Sequence, residues 1–352
     1  KIYPQAKIVN LEVNYRCEPP IVEAAMRLIA HNEERFPKKI RAGKSGKQKV
    51  RFQYFEDCYK ENAFLAEDIR QTVQNGVPLS EIAVLFRTNM QPRALMEYMV
   101  SANLAFQTKD RIPDIYEHWI ARDFFTYIRI AQGSDSRADF LSIMNRPKRY
   151  IGRDSLPDET VCFDEWMKLY EEQPWIAERI EKLWYDLKHL SRLSPYAAIN
   201  YIRRGIGYDD YLAEYAEYRN VNKEDFYEVA DEILASAKGY RTFEEWFAHI
   251  EEYRQELKRL AQEKRRNQNA VTFATLHSAK GLEFTKVYLI DVNEGVMPYK
   301  KAVLKQDVEE ERRLFYVGMT RAKESLTICS VKKMRGKEVE LSRFIKEAGK
   351  EP

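Results

Sequence analysis

The sequence contains few cysteines and no long apolar segment. Its four cysteines, Cys17, Cys58, Cys162 and Cys329, lie far apart and show no paired spacing. This distribution argues against a zinc site or a disulfide framework, so we expect no metal site and a reducing, cytoplasmic location. No apolar stretch has the length that spans a bilayer, and no signal peptide opens the chain. The first residue is Lys1, which is compatible with a fragment of a longer protein.

A strong excess of charge of either sign is also missing. The 58 basic and 55 acidic residues leave a formal charge of only +3, so any contact with nucleic acid has to come from local patches. Candidate patches are Lys148-Arg149, Lys264-Arg265-Arg266 and Lys332-Lys333, although runs this short are usually solvated surface. With 44% hydrophobic and 32% charged residues, the 352-residue chain is typical of a globular protein with room for two domains.

The first part of the chain alternates between strand and helix patterns. Residues 7–13, 50–55 and 82–86 have strand patterns. Helices are predicted from Glu18 onward, between Asp57 and Gly76, and from Pro92. The first helix has an apolar face made of Ile21, Ala24, Ala25, Leu28 and Ile29. This alternation predicts an open parallel α/β sheet.

The pattern changes after residue 108 and returns near residue 269. The intervening segment is helical throughout, rich in Tyr and Trp, and ends in a helix over residues 242–266. Strands are then predicted at 271–276, 287–290 and 326–329, with a helix at 308–320. We therefore predict one discontinuous α/β domain, residues 1–108 and 269–352, interrupted by an inserted all-helical domain, residues 109–268.

Gly43-Lys44-Ser45 is the one segment that suggests a phosphate-binding loop. The motif needs a further glycine five positions before its Gly-Lys pair, and that position is Lys38. A strand rather than a helix is predicted to follow, so the segment is interpreted as a solvated surface turn. No other segment offers a phosphate loop, and no acidic pair follows an apolar strand as a magnesium site requires.

Several segments, in order along the chain, resemble helicase motifs. Residues 11–17 (LEVNYRC), 275–284 (TLHSAKGLEF) and 309–322 (EEERRLFYVGMTRA) resemble motifs IV, V and VI of the UvrD/Rep family of superfamily 1 DNA helicases. Residues 82–96 are similar to the family's additional motif between IV and V. Residues 145–152 (NRPKRYIG) are similar to its duplex-contacting loop, and residues 341–344 to its closing motif.

The resemblance implies a fold and an activity. The chain would be the second RecA-like (P-loop NTPase-like) domain, with its helical insert, of an ATP-dependent helicase that moves 3′ to 5′ on single-stranded DNA. The ATP and Mg²⁺ ligands missing here would come from its own N-terminal RecA-like domain, so this chain alone should not hydrolyse ATP. Implied partners are single-stranded DNA and its junction with duplex, with repair or replication proteins as further candidates.

The resemblance also assigns residues to the ATP site. Tyr15 would stack on the adenine, and Arg16 and Arg321 would reach the γ-phosphate, because a planar guanidinium pairs well with phosphate oxygens. Glu283, which follows Gly281 in motif V, would accept hydrogen bonds from the nucleotide sugar.

A second set of residues is implied to contact DNA. His277, Ser278, Arg87 and Asn89 would contact the backbone of the single strand. Lys148, Arg149 and Gly152 would hold duplex at the junction. At Tyr150 the chain departs from the family, which usually has glycine there, and a side chain narrows the approach of the backbone to phosphate.

Alternatives remain for most of these residues. Outside the motifs, a Tyr-Arg pair is usually surface and a lone histidine is usually structural. Arg312 and Arg313 follow three glutamates on one helix and are as well explained by local salt bridges. Lys280 either contacts a phosphate or caps a turn. As a whole, the chain could be a helicase-derived DNA- or protein-binding module without ATPase activity, or a helicase–nuclease subunit, although no nuclease-like carboxylate cluster is visible.

Overall fold

A computed structural model describes residues 11–35, 40–46, 48–110, 114–263 and 269–349, except for the side chains of residues 257 and 260–263. The chain divides into two compact units. The first comprises Lys1–Pro113 with Glu256–Pro352, and the second comprises Asp114–Gln255. Residues 7–10 of the first predicted strand, the basic cluster at 264–266 and the last three residues lie outside the described ranges.

The first unit is an α/β structure. Its strands are β1 (Val13–Asn14), β2 (Arg41–Ala42), β3 (Arg51–Asp57), β4 (Ile82–Phe86), β5 (Phe106–Thr108), β6 (Val271–Thr275), β7 (Phe284–Leu289), β8 (Ala322–Met334) and β9 (Lys337–Glu338). Its helices are α1 (Pro19–Ile29), α2 (Cys58–Gln74), α3 (Arg93–Ser101), α12 (Lys305–Met319) and α13 (Arg343–Ala348).

The main sheet has seven strands in the part of the chain that the structure describes. Six are parallel, in the order β3-β8-β7-β4-β6-β5, and the short β9 pairs with β8 in the antiparallel sense. β1 and β2 form a separate parallel pair. This confirms the open parallel α/β sheet that the strand and helix alternation predicts, and the RecA-like fold that the resemblance implies.

Both faces of the main sheet are covered, as parallel sheets require. All five residues of β4 are buried. Their alternation sends Ala83 and Leu85 into one apolar core and Ile82, Val84 and Phe86 into the other. The first core is lined by α1, α12 and α13, and the second by α2 and α3. The continuous apolar run of the sequence therefore marks the centre of the sheet.

The helical ends follow local signals in the sequence. Pro19 occupies the first turn of α1, where a missing N–H costs nothing. Asp57 caps α2 by accepting a hydrogen bond from the Lys60 N–H at 3.0 Å. Gly318 in α12 has no room for a side chain, because an added Cβ would lie 2.3 Å from Leu276 Cδ2. This glycine lets α12 approach the sheet closely.

The second unit is helical, as the resemblance and the pattern predict. Its helices are α4 (Trp119–Ala131), α5 (Arg137–Ile143), α6 (Phe163–Lys168), α7 (Pro174–Leu190), α8 (Pro195–Arg204), α9 (Tyr208–Arg219) and α10 (Lys223–Ser236), followed by α11 (Phe243–Glu263), whose residues after Gln255 are counted with the first unit. In the described range 114–263, strand-like pairing is limited to one isolated bridge between Ser136 and Thr160. Buried Asp123 fixes α4 by accepting from Arg146 Nη1 at 2.8 Å and from the Tyr208 hydroxyl at 2.6 Å.

A pair of carboxyl groups is buried beside the main sheet. The N–H of Asp291, just after β7, donates to Glu61 Oε1 on α2 at 3.3 Å. Burial, and then the charge of Asp291, raise the pKa of Glu61 well above its usual value. Gln91 donates to Asp291 at 3.4 Å and accepts from the N–H groups of Arg87 and Thr88 at 2.8 and 2.7 Å. The carboxyl pair therefore supports the loop after β4.

Glu61→Gln should make the stability of the first unit less sensitive to rising pH. Because the folded pKa of Glu61 lies above the unfolded value of 4.5, its stabilisation is complete below that value and is lost as the pH rises through the folded pKa. The glutamine stays neutral, so the melting temperature of the variant relative to the original chain should rise as the pH is raised above 4.5. Scanning calorimetry measures this difference, and exposed Glu67→Gln on the same helix is the control. A difference that does not vary with pH contradicts the prediction.

Candidate functional site

The segment between β1 and α1 presents an aromatic ring to solvent. Asn14 Oδ1 accepts from the N–H groups of Arg16 and Cys17, each at 2.9 Å, which fixes a tight turn. Tyr15 stands at the outside of this turn with 77% of its surface exposed. Gly43 lies close to this ring, because a Cβ there would be 2.7 Å from Tyr15 Cδ1. A large aromatic side chain held outward in this way is available to a ligand.

Gly43-Lys44-Ser45 is an exposed turn that leads into β3, as predicted. The Gly43 N–H donates to the Asn14 carbonyl at 2.7 Å. This segment therefore carries no phosphate loop, and its glycine serves the packing of Tyr15.

Arg16 and Glu283 form an ion pair next to that ring. Arg16 Nε donates to Glu283 Oε2 at 2.5 Å, and both side chains remain partly exposed. The hydrogen bond and charge of Arg16 lower the pKa of Glu283, so the carboxylate stays ionised. The pair borders a pocket of about 520 Å³, whose other lining residues are Leu11, Val13, Asn14, Tyr15 and Ile40.

The sheet register explains why Arg321 lies near the same place. Phe284 at the start of β7 pairs with Ala322 at the start of β8, so the residues before them, Glu283 and Arg321, share the amino edge of the sheet. Arg16 Nη1 and Arg321 Nη2 both contact Thr320, at its carbonyl oxygen (3.5 Å) and its hydroxyl (3.3 Å). Two guanidinium groups from distant parts of the sequence thus meet at one residue.

Arg321 is nearly buried and tightly anchored. Its Nε donates to the Val317 carbonyl and its Nη1 to the Leu282 carbonyl, both at 3.0 Å. Burial, and then the neighbouring charge of Arg16, lower the pKa of Arg321. An arginine stays charged despite such a shift, because its starting pKa lies above 12. Gly281, two residues before Glu283, has φ +84°, a backbone conformation that favours glycine.

The other end of the loop from β6 to β7 lies at the opposite edge of the sheet. Exposed His277 and Ser278 directly follow the carboxyl end of β6. Ser278 Oγ donates to Asp110, which also accepts from the Thr275 N–H at 2.7 Å. Burial, then the charges of Arg87 and Lys280, lower the pKa of His277, so the neutral form prevails at neutral pH.

Arg87 and Asn89 follow β4 at this same carboxyl edge. Arg87 makes a bidentate ion pair with Glu311, at 2.8 Å from Nη2 and 3.0 Å from Nε, and lies over the Tyr299 ring. Asn89 Oδ1 is buried without a hydrogen-bond partner among the described residues. Because Glu311 occupies these donors, Arg87 can contact a phosphate only with its remaining donors or after its ion pair with Glu311 has broken.

The predicted duplex-contacting loop lies in the helical unit. Arg149 is buried and donates to the carbonyls of Ile143, Met144 and Pro147 at 3.1–3.3 Å. This geometry differs from the exposed DNA contact predicted for Arg149 and gives it a structural role. The Gly152 N–H donates to the Tyr170 hydroxyl at 3.2 Å, whereas Lys148 is exposed.

Tyr150 in that loop has a backbone conformation that glycine prefers. Its φ is +60°, which costs a residue with a side chain about 1–2 kcal/mol. The loop therefore keeps a left-handed turn at the position where the resembled family usually has glycine, and it carries an aromatic ring there.

Four further basic candidates are paired within the described part of the chain. Arg313 forms salt bridges with Glu309 and Glu310 on its own helix, in agreement with the local alternative. Arg312 instead makes a bidentate pair with Glu347 on α13. Lys332 and Lys333 both pair with Glu56.

Comparison with known proteins supports the family. The UvrD-like helicase C-terminal domain family matches residues 9–333. A putative ATP-dependent DNA helicase, YjcD of Bacillus subtilis, is 28% identical over 98% of this chain and 46% of its own length. The ATP-dependent DNA helicase PcrA of Staphylococcus epidermidis strain RP62A is 30% identical over 98% of this chain and 50% of its own length.

The chain therefore belongs to the UvrD-like helicase C-terminal domain family. It spans about half the length of the curated relatives it matches. A solved structure, the C-terminal domain of a possible DNA helicase from Lactobacillus plantarun WCFS1, is 25% identical and covers 30% of this chain and 58% of its own. Its TM-score of 0.18 supports no conclusion about the fold.

The described residues contain no group of three or more His, Cys, Asp or Glu side chains placed to hold a metal ion. Over the same ranges, no helix is long and apolar enough to cross a membrane.

Arg149→Ala should destabilise the helical unit, because it removes the donors of several buried carbonyl groups. The expected loss is about 1–3 kcal/mol in the free energy of unfolding. All five tryptophans of the chain lie in this unit, so denaturant unfolding followed by tryptophan fluorescence reports on it selectively. Lys148→Ala, one residue away and exposed, is the matched control and should leave the unfolding curve unchanged. Equal curves for both variants contradict the structural role of Arg149.

Proposed function

We propose that this chain is the C-terminal half of an ATP-dependent 3′ to 5′ DNA helicase or translocase. Residues 1–108 and 269–352 form its second RecA-like motor domain, and residues 109–268 form the inserted helical domain. The chain supplies one side of an ATP site that a first RecA-like domain completes with the phosphate loop and the Mg²⁺ ligands. On its own it does not hydrolyse ATP.

The observation that carries this proposal is the meeting of Arg16 and Arg321 at Thr320, next to exposed Tyr15 and Glu283. A flat ring, two permanent positive charges and a carboxylate suit the base, phosphates and sugar of a nucleotide. Tyr15, Arg16 and Glu283 line one pocket, and Arg321 lies beside it through its contact with Thr320. Tyr15 stacks on adenine, Arg16 and Arg321 reach the γ-phosphate, and Glu283, positioned by Gly281, binds the sugar.

The anchoring of Arg321 suits an arginine finger. Three of the five N–H donors of a guanidinium are used by Val317, Leu282 and Thr320, and two remain without an acceptor among the described residues. The fixed donors hold the group in place, so little side-chain entropy is lost when the free donors meet phosphate. In other nucleotide hydrolases such an arginine increases the turnover number by about 10³- to 10⁵-fold.

The single-strand contacts of the α/β unit lie at the other edge of the sheet. His277, Ser278, Arg87 and Asn89 bind the backbone of single-stranded DNA, while exposed Lys148 and the Gly152 loop contact duplex at the junction. The loop from β6 to β7 comprises residues 276–283 and contains both His277 and Glu283, so it runs from the DNA edge to the nucleotide edge. A shift of this one segment changes both sites, which provides a route for coupling hydrolysis to movement.

Arg321→Ala should abolish DNA-stimulated ATP hydrolysis in the protein that joins this chain to a first RecA-like domain. The turnover number should fall by about 10³–10⁵, since the charge on the transferred phosphoryl group loses a partner. DNA affinity should remain near that of the unsubstituted protein. Hydrolysis is measured with and without single-stranded DNA, and Arg313→Ala, whose ion pairs are local to α12, is the matched control.

Retained hydrolysis in the Arg321 variant would exclude its assignment as a finger. The 352-residue chain is assayed in parallel and should show no turnover. If the joined protein is also inactive, the motor assignment fails, and a DNA- or protein-binding module without ATPase activity becomes the better explanation.

Tyr15→Ala should raise the KM for ATP in the same joined protein. Losing one aromatic platform under a base weakens binding by about fivefold or more. Tyr15→Phe keeps the ring and should preserve the KM, and Tyr54→Ala removes an exposed ring elsewhere in the α/β unit. An unchanged KM for Tyr15→Ala would count against the adenine platform.

A further inference from the structure

Tyr150 and Trp175 are two of the exposed aromatic side chains of the helical unit, and they lie next to each other. Trp166 and Trp246 are buried in the core of this unit, whereas Tyr150 is 55% and Trp175 49% exposed. The two exposed rings lie together, with centroids 6.2 Å apart and planes at 67°. Neither ring is needed to fill the core, so their joint exposure calls for another explanation.

Two cations accompany these rings. Lys148 Nζ lies 4.6 Å from the centroid of Tyr150, and Arg179 Cζ lies 5.1 Å from Tyr150 and 5.0 Å from Trp175. We call these four residues, Lys148, Tyr150, Trp175 and Arg179, the Tyr150 surface. Its combination of exposed rings and guanidinium or ammonium groups is the chemistry that binds nucleobases and their phosphates.

The backbone under the Tyr150 surface is held firmly. Asn145 Oδ1 accepts from the N–H groups of Arg149 and Ile151 at 3.2 and 3.1 Å, on either side of Tyr150. Arg179 Nη1 donates to the Arg149 carbonyl at 3.2 Å, which ties α7 to the loop. The ring of Tyr150 is therefore presented by a fixed loop, and little conformational entropy is lost when a ligand covers it.

We infer that the Tyr150 surface binds unpaired bases of single-stranded DNA by stacking. The inference rests on the proposed DNA motor and adds a single-strand site to the helical unit. Tyr150, Trp175 and the guanidinium plane of Arg179 cover base faces, and exposed Lys148 turns from the ring to a phosphate.

Unpaired DNA fits the two exposed rings of this surface better than duplex does, while Lys148 keeps the duplex phosphate contact at the junction proposed above. In a duplex the base faces are covered by neighbouring base pairs, and a protein meets mainly phosphates and groove edges. Phosphates alone would require only cations, as at Lys148 and Arg179, and would leave the two exposed rings without a partner. Bases of a single strand offer their faces in any sequence.

The test measures binding of the 352-residue chain to a short dye-labelled oligothymidine by fluorescence anisotropy. Tyr150→Gly removes the ring while keeping a residue suited to φ +60°, so the loop fold is preserved. Both Tyr150→Gly and Trp175→Ala should weaken binding by about 5- to 150-fold, the range for losing one stacked base. Tyr150→Phe keeps the ring and should retain the affinity.

Three controls separate stacking from other effects. An abasic strand of equal length keeps the phosphates but has no bases, so its affinity should be the same for the original chain and both variants. Tyr218→Ala removes a ring that is 83% exposed elsewhere in the helical unit and should have no effect. The fluorescence of 2-aminopurine in a single strand should be quenched when the strand binds the original chain. The quenching should be weaker with Tyr150→Gly.

Unchanged oligothymidine affinity in both variants would overturn the inference, and so would a complete lack of binding. Equal losses with the abasic strand, or losses seen only with duplex DNA, would also overturn it by assigning the surface to phosphates. Each of these results leaves the proposed function intact as long as ATP hydrolysis by the joined protein depends on Arg321. Loss of that dependence with stacking preserved would instead contradict the proposed function alone.

Discussion

The pairing of β4 with β6 and β7 is the constraint on which the α/β unit depends. β4 ends at Phe86, and its partners begin only at Val271 and Phe284, after the whole helical unit. The hydrogen bonds between these strands and the two apolar cores must offset the conformational entropy that is lost when a loop of this length is closed. Since β4 is buried over its entire length, a one-residue slip would exchange its two sets of core side chains, so the register is strongly specified.

That register also determines which residues lie at the carboxyl and amino edges of the sheet. Residues that follow β4 and β6 collect at the carboxyl edge, and residues that precede β7 and β8 collect at the amino edge. Arg16 joins the amino edge because the Glu18 N–H donates to the Lys323 carbonyl at 3.0 Å. Side chains more than 260 positions apart in the sequence, such as Arg16 and Glu283, are neighbours for this reason alone.

The sequence predicts the elements of the fold better than it predicts the partners of individual side chains. β4 is found at its predicted bounds, and the buried face of α1 contains Ile21, Ala24, Ala25 and Leu28 as expected, with Ile29 only partly buried. β8 extends well beyond the predicted 326–329, because its ends are less apolar than its centre. β5 was not predicted, since three residues are too few for a periodic pattern.

Long-range contacts explain why some side chains could not be interpreted from sequence. Arg149 is adjacent to exposed Lys148 in the chain, and only the folded loop shows that one is buried and the other is not. Arg312 forms its ion pair with Glu347 on α13 rather than with the glutamates beside it in the sequence. Trp175 has the same residue type as the buried tryptophans, and its exposure follows from its position at the start of α7.

The pairing of β5 with β6 sets a requirement on the chain that connects them. Thr108 lies opposite Phe273 in adjacent parallel strands, and the Lys109 N–H donates to the Phe273 carbonyl at 2.9 Å. Val271, where the chain returns to the sheet, lies opposite Phe106, whereas the chain leaves β5 at its other end, Thr108. Because β5 and β6 run parallel, the chain between them has to cross from the carboxyl edge of the sheet to its amino edge, and residues 109–270 make this connection. Any shortened version of the helical insert must therefore keep a linker long enough for the same crossing.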